Sequence, residues 1–262
     1  MKCCALFAGK EMSEKESVRR CMQDGALWLT LDRADRANAL NPASVRELGR
    51  AFSEPGKARV IVLTGAGDRA FCSGADLSGV VPEKAAGDFS DLLGAMDACP
   101  VPIIARVNGA VAAGGMGMLC GADIAIGVDT LTLATPEARV GLFPFMILPY
   151  LLRVSQPRFV AEMVFAGRRL SAEEAISAGF LTRCVAREDL DREVGRICAA
   201  VLSMGPRALS EGRKAFARQV FDGERDQMLM QAFLALWDGE ESKEGRAAFQ
   251  EKRSPQWQEQ AE

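Results

Sequence analysis

The residues able to carry chemistry in this chain are few, because one common type is missing: none of its 262 residues is histidine. Imidazole acid/base catalysis, Ser-His-Asp or Cys-His hydrolysis and His-ligated metals are thereby excluded within the chain. Proton transfer falls to a carboxylate, Lys, Tyr, Cys or water, and Tyr150 is the sole tyrosine. One carboxylate stands out. Glu137, in Leu133-Ala134-Thr135-Pro136-Glu137-Ala138, lies among apolar residues and ahead of Gly141-Leu142-Phe143-Pro144-Phe145-Met146. Apolar company raises a carboxyl pKa and suits it to acid/base work, whereas a solvated loop glutamate would read the same in sequence. Two small-residue turns are the other candidates: Ala70-Phe71-Cys72-Ser73-Gly74-Ala75-Asp76-Leu77, and Asn108-Gly109 through Gly114-Gly115-Met116-Gly117. Glycine lets backbone approach a ligand closely, and the first N–H groups of a following helix lack intrahelical partners. Two such turns can aim N–H groups at one carbonyl oxygen as it becomes an enolate, each donor worth about 3 kcal/mol. Ordinary tight turns remain the plainer alternative.

Several elements must position these groups. Residues 26–31 form a strand-like run, and residues 42–52 carry Val45, Leu48 and Phe52 at helical spacing. Residues 59–64 are an apolar β-branched run closed by Gly65-Ala66-Gly67, which suits a buried parallel strand. Residues 102–107 form a third strand, followed by the small-residue segment 108–115 and a helix over 116–120. Residues 123–127 and 130–134 read as two further strands. After Gly141 the pattern turns helical, over 149–154, 158–166, 172–178, 190–203, 206–220 and 225–236. Repeated β/α units followed by helices predict an α/β core with a helical C-terminal part.

Composition narrows the function classes. With 48% hydrophobic residues and net charge −3 the chain has material for one large domain, or a domain plus an appendage. The 32 basic and 35 acidic residues are interspersed, so no nucleic-acid or anionic-membrane footprint is expected. No stretch is long and apolar enough for a membrane span, and the opening residues 1–7 are too short for a signal-peptide core, which predicts a cytoplasmic protein. The eight cysteines include no CxxC pair, so they read as buried reduced thiols with no metal site.

Taken in order, Arg36-Ala37-Asn38-Ala39-Leu40, Val60-Ile61-Val62-Leu63-Thr64-Gly65, Phe71-Cys72-Ser73-Gly74-Ala75-Asp76-Leu77, Val107-Asn108-Gly109, Gly114-Gly115, Ala122-Asp123, Pro136-Glu137 and Gly141-Leu142 resemble the enoyl-CoA hydratase/isomerase (crotonase) family. The likeness continues through Leu170-Ser171-Ala172-Glu173-Glu174-Ala175 and Glu244-Gly245-Arg246-Ala247-Ala248-Phe249 with Lys252-Arg253. Each motif is weak alone, and the ordered set is specific. The resemblance implies a crotonase-type spiral of repeated ββα units, with a core over residues 1–200 and a helical oligomerisation region over 201–262. It implies an acyl-CoA substrate in fatty-acid or related metabolism, no separate cofactor because coenzyme A enters with the substrate, and assembly as a homotrimer or dimer of trimers. It also implies backbone donors at Ala75 and Gly114, with Glu137 as the acid/base. Substrate contacts are implied at Arg36, Ala37, Ala39, Gly74, Asp76, Leu77, Gly115 and Gly117, and contacts to a neighbouring subunit's CoA at Phe249 and Lys252. Arg33 or Arg36 is expected to meet the CoA phosphates, and Asp76 to cap a helix.

The pattern breaks at one catalytic position. Family hydratases use two glutamates to hold water; the first of those positions falls on Gly117 here, and a glycine cannot accept a proton. One carboxylate suffices for the 1,3-proton shift of an enoyl-CoA isomerase. Hydration stays open if a carboxylate among Glu83, Asp88 and Asp91 assists. The run Phe143-Pro144-Phe145-Met146-Ile147-Leu148-Pro149 stands where many members have glycines and should reshape the acyl pocket. Of the rival readings, the dinucleotide fingerprint in Gly115-Met116-Gly117-Met118-Leu119-Cys120-Gly121 fits poorly, since several residues separate it from its strand. A catalytically degenerate acyl-CoA-binding protein is the alternative that Gly117 motivates.

Overall fold

The computed structural model describes residues 17–76, 81–218, 230–231, 233–235 and 237–256. The chain enters through a hairpin, β1 (Val18–Gln23) paired antiparallel with β2 (Ala26–Leu31). Asp24 and Gly25 both take positive φ, 49° and 82°, which is the two-residue turn that an Asp-Gly pair favours. Helix α1 (Pro42–Ser53) follows, its first turn capped by the Asn41 side chain accepting from the Ser44 N–H.

Three strand pairs come next. In each, the first strand joins one sheet and the second joins another: β3 (Val60–Gly65) with β4 (Ala70–Cys72), β5 (Ile103–Val107) with β6 (Ala110–Ala112), and β7 (Ile124–Val128) with β8 (Thr132–Ala134). Helix α2 (Pro82–Ala98) follows the first pair and α3 (Gly114–Gly121) the second. These are the expected ββα repeats. After a 3-10 turn over Glu137–Val140 come α4 (Leu148–Val154), α5 (Pro157–Phe165), β9 (Leu170–Ser171), α6 (Ala172–Ser177) and β10 (Arg183–Val185). Helices α7 (Leu190–Leu202), α8 (Pro206–Arg218) and α9 (Glu240–Glu251) follow.

Among the described residues the larger sheet runs β1-β2-β3-β5-β7-β10 and the smaller β4-β6-β8-β9. All pairings from β2 to β10 in the larger sheet are parallel. Val60, Ile61, Val62 and Leu63 of β3 and Ile103, Ile104 and Ala105 of β5 have no exposed surface, as a parallel strand covered on both faces requires. No described helix is long and apolar enough to cross a membrane.

The sequence reading placed β2, α1, β3, β5, β7, β8 and most later helices within a residue or two. It left β1, β4, α2, β9, β10 and α9 unassigned and missed β6, which lies inside the small-residue segment 108–115; α3 begins at Gly114 rather than at residue 116. Ala-Val-Ala has weak strand propensity, and its pairing with β4 and β8 decides its conformation. The helix expected over 225–236 falls largely outside the described residues.

Candidate active site

Strands β4, β6 and β8 are parallel neighbours, in register Ala70↔Ala110 and Cys72↔Val111 on one side and Val111↔Leu133 and Ala112↔Ala134 on the other. Their C-terminal ends therefore emerge side by side. Ser73-Gly74-Ala75 continues β4, Ala113-Gly114 continues β6 and Thr135-Pro136-Glu137 continues β8. Three segments far apart in sequence share one sheet end, where ligands of open parallel sheets bind.

The two glycine turns touch. A Cβ on Gly74 would lie 3.0 Å from the Gly114 nitrogen and 2.7 Å from the Ala113 Cβ, and one on Gly114 would lie 3.6 Å from the Gly74 Cα. Gly74 also has φ +98°, a backbone region that favours glycine. Ala113 takes φ 49° and ψ −127° ahead of α3, a strained conformation for a residue with a Cβ, held by its N–H donating to the Ala134 carbonyl at 3.1 Å. Gly114 is the first residue of α3, so its N–H has no intrahelical partner. No hydrogen bond among the described residues uses the Ala75 or Gly114 N–H. Gly115 packs against the Cys72 carbonyl, so its contribution is close approach between the turns.

The loop at residues 36–40 is stitched to the first turn: Ser73 N–H donates to the Ala37 carbonyl, Leu40 N–H to Gly74 and Asp76 N–H to Leu40, at 3.1, 2.8 and 2.8 Å. Ala37 and Asn38 are both left-handed, at φ 50° and 56°. Buried Asn38 and Asn108 each donate to the Ala70 carbonyl, at 2.7 and 3.0 Å, and Asn108 Oδ1 accepts from the Gly65 N–H at 3.1 Å. These two amides fix β4 before the turn begins. Sequence reasoning quoted both within motifs and assigned neither a task.

One expectation is corrected. Asp76 does not cap α2, whose N-cap is Val81; it pairs with Arg33 at 2.8 Å. Arg33 also donates to the Ala39 carbonyl at 2.6 Å, so its guanidinium braces the loop against the turn and is committed there. Arg36 is exposed at the end of the 3-10 turn Ala34–Arg36, with Ala37 and Ala39 half-buried beside it. Leu77 lies outside the described residues.

Glu137 opens its 3-10 turn, which Gly141 closes at φ +69°. The turn is anchored on both sides. Thr135 Oγ1 donates to the Met163 carbonyl of α5 at 3.1 Å, and Gly245 of α9 packs so tightly on Val140 that a Cβ there would overlap its backbone. The residue as a whole is half-buried, yet its Oε2 is enclosed and has no hydrogen-bond partner among the described residues. Burial raises the Glu137 pKa from 4.5 to about 7, opposed by its own backbone N–H. The apolar setting read from sequence thus gives a carboxyl poised to exchange a proton near neutral pH.

Other proton carriers are occupied. Tyr150 donates to Asp97 at 2.8 Å, and burial raises the Cys72 thiol to about 12. On α2, Asp88 pairs with Lys84 at 3.6 Å and Asp91 is exposed, while the Glu83 side chain lies outside the described residues. The face of α2 turned toward α3 is carbon. A Cβ on Gly114 would meet Phe89 at 3.2 Å, and one on Gly117 would meet Ile147 Cγ2 at 2.6 Å and Leu93 at 3.4 Å. Sequence reasoning missed Phe89 and Leu93, and flagged Ile147 only as part of the bulky run over residues 143–149. The i, i+4 spacing of the first two was the available signal. Phe249 at the end of α9 is 75% exposed, and Lys252 closes that helix in a left-handed conformation.

Comparison with known proteins gives a consistent picture. The family model described as enoyl-CoA hydratase/isomerase matches residues 22–260. A carnitinyl-CoA dehydratase of Proteus mirabilis is 31% identical over 261 residues, covering 92% of this chain and 98% of that protein. A protein of Rhodobacter capsulatus named as a probable enoyl-CoA hydratase is 34% identical over 251 residues, covering 91% and 96%. The crystal structure of an enoyl-CoA hydratase from Mycobacterium avium superposes with TM-score 0.82 at 30% identity, covering 94% of this chain and all of that one, 100%.

Proposed function

Since the chain belongs to the enoyl-CoA hydratase/isomerase family and acts on an acyl-CoA thioester, we propose that its reaction is a proton shift between C2 and C4 of an enoyl thioester. The observation that carries this reading is that Glu137 is an enclosed carboxyl with its pKa raised to about 7, while Asp76, the other carboxylate at this sheet end, is paired with Arg33, and carbon lies at Gly117 where a further one would stand.

In a 3-enoyl thioester the carboxylate of Glu137 takes a proton from C2, and the electron pair moves onto the thioester oxygen. The Ala75 and Gly114 N–H groups meet the charge that develops there, an interaction stronger in the transition state than in the bound substrate. The protonated Glu137 then delivers its proton to C4. The double bond moves into conjugation between C2 and C3, and the carboxylate is regenerated. The pKa near 7 lets one group act as base and then as acid. Arg36, Ala37 and Ala39 receive the CoA moiety, and Phe249 and Lys252 reach the CoA of an adjoining copy in a trimeric assembly.

A second reading has its own support: the relatives are named for hydration and dehydration. One carboxylate would then have to activate water and the thioester carbon in turn. The two readings separate in a spectrophotometer. Offered a 3-enoyl-CoA, the purified protein should produce the absorbance of a conjugated thioester; offered crotonyl-CoA, it should leave that absorbance standing. Loss of the crotonyl-CoA signal, with no gain from the 3-enoyl-CoA, would establish the hydratase in its place.

A further inference from the structure

Gly114 and Gly117 stand three residues apart on α3, on one face of the helix, and α2 lays Phe89 against the first and Leu93, four residues further on, against the second. Ile147, at the entry to α4, completes this wall with its Cγ2 over Gly117. Phe89, Leu93 and Ile147 are all buried. The atoms nearest a Cβ at Gly114 or Gly117 are all carbon, so a water placed against them would find few partners. Beyond it, Phe143 touches Phe145 and Phe165, with ring centroids 4.8 and 5.7 Å apart. From Gly141 to Ile147 the chain that leads from the Glu137 turn to α4 carries only apolar residues.

We propose that Ile147 determines the reaction specificity of this site: by filling the space over Gly117 it denies water a place beside C3 of the bound acyl group. This rests on the proton-shift reading above and adds the residue that enforces it. Water addition would require a water oxygen to bond to C3 while its proton passes to C2; with that space filled, the enolate can only take its proton back from Glu137. The acyl groups admitted are accordingly hydrocarbon at C3 and C4, without a hydroxyl or charged substituent, because the wall could not satisfy one.

The test compares the wild-type protein with Ile147→Ala in two assays. The first incubates each with a straight-chain 3-enoyl-CoA in 18O-labelled water and measures both the 2-enoyl-CoA and any labelled 3-hydroxyacyl-CoA by mass spectrometry. The second follows exchange of the α-protons of butyryl-CoA in deuterated water, which needs Glu137 and the backbone donors but no water addition. Ile147→Ala should still exchange α-protons and should raise the ratio of labelled adduct to isomer by about ten-fold or more over the wild-type background. A variant that exchanges and isomerises with that ratio unchanged overturns the inference. Should Ile147→Ala fail to fold, Ile147→Ser also removes the Cγ2 that lies over Gly117, adds a hydroxyl able to hold a water, and carries the same expectation. The parent reading fails on a separate signal, wild-type protein that exchanges the α-protons of butyryl-CoA yet forms no 2-enoyl-CoA from the 3-enoyl-CoA, and the inference falls with it.

Discussion

Glu137 is held at odds with its own ionisation. Its enclosed Oε2 raises the carboxyl pKa from 4.5 to about 7, so across that window the folded protein binds the proton more tightly than the unfolded chain does. Stability therefore falls as pH rises from 4.5 to about 7, and above it the ionised carboxylate is a constant cost to the fold. Two outcomes follow. The kcat/KM for thioester turnover should rise with pH to a plateau, half-developed near pH 7, as the base form appears. Glu137→Gln should abolish turnover by about a thousand-fold or more while leaving CoA-thioester affinity in place. It should also raise the thermal midpoint at about pH 8 and give no such gain at about pH 4. Equal gains at both pH values would show that burial does not set this carboxyl.

At the scale of elements, the site depends on how closely α3 approaches its neighbours. Gly74→Ala should separate the two turns, because its Cβ would meet Ala113 at 2.7 Å at a φ of +98°. We expect kcat to fall by about a hundred-fold with a small change in KM, read by steady-state kinetics, as for loss of one oxyanion donor. Gly117→Ala places a Cβ 2.6 Å from Ile147 and should destabilise by about 1–3 kcal/mol in urea unfolding. Combining it with Ile147→Ala should recover part of that loss, the non-additivity expected of residues in contact. Strictly additive effects would mean that the two do not meet.

Across the whole molecule, distant segments converge on the ends of β4, β6 and β8. Helix α8 is tied back by Arg213, which is buried, bonds Asp123 at 2.8 Å and donates to the Asp97 carbonyl at 3.1 Å and to the Cys99 carbonyl. Arg213→Ala should cost about 3–5 kcal/mol of stability in denaturant unfolding, because it strands a partly buried carboxylate and two carbonyls. A loss below about 1 kcal/mol would place Arg213 among solvent-screened surface pairs. Helix α9 reaches the site by a different route, through Gly245 on the turn that Glu137 opens, so it bears on the acid/base group.

The sequence alone determined the parallel strands, since runs such as Val60-Ile61-Val62-Leu63 bury on both faces and leave no other placement. It also determined that imidazole cannot move the proton, because histidine is absent. The ordered motifs marked Ala75, Gly114 and Glu137 and the missing carboxylate at Gly117. Pairing partners were beyond it: β6 is a strand only because β4 and β8 flank it, and Asp76 became a brace because Arg33, 43 residues earlier, folds back onto it. Gly117 by itself says only that no side chain is there. What fills the space, Ile147 from one side and Leu93 from the other, is decided by how α2, α3 and α4 pack, since a vacated volume in a close-packed interior is taken by whichever neighbour the fold brings to it.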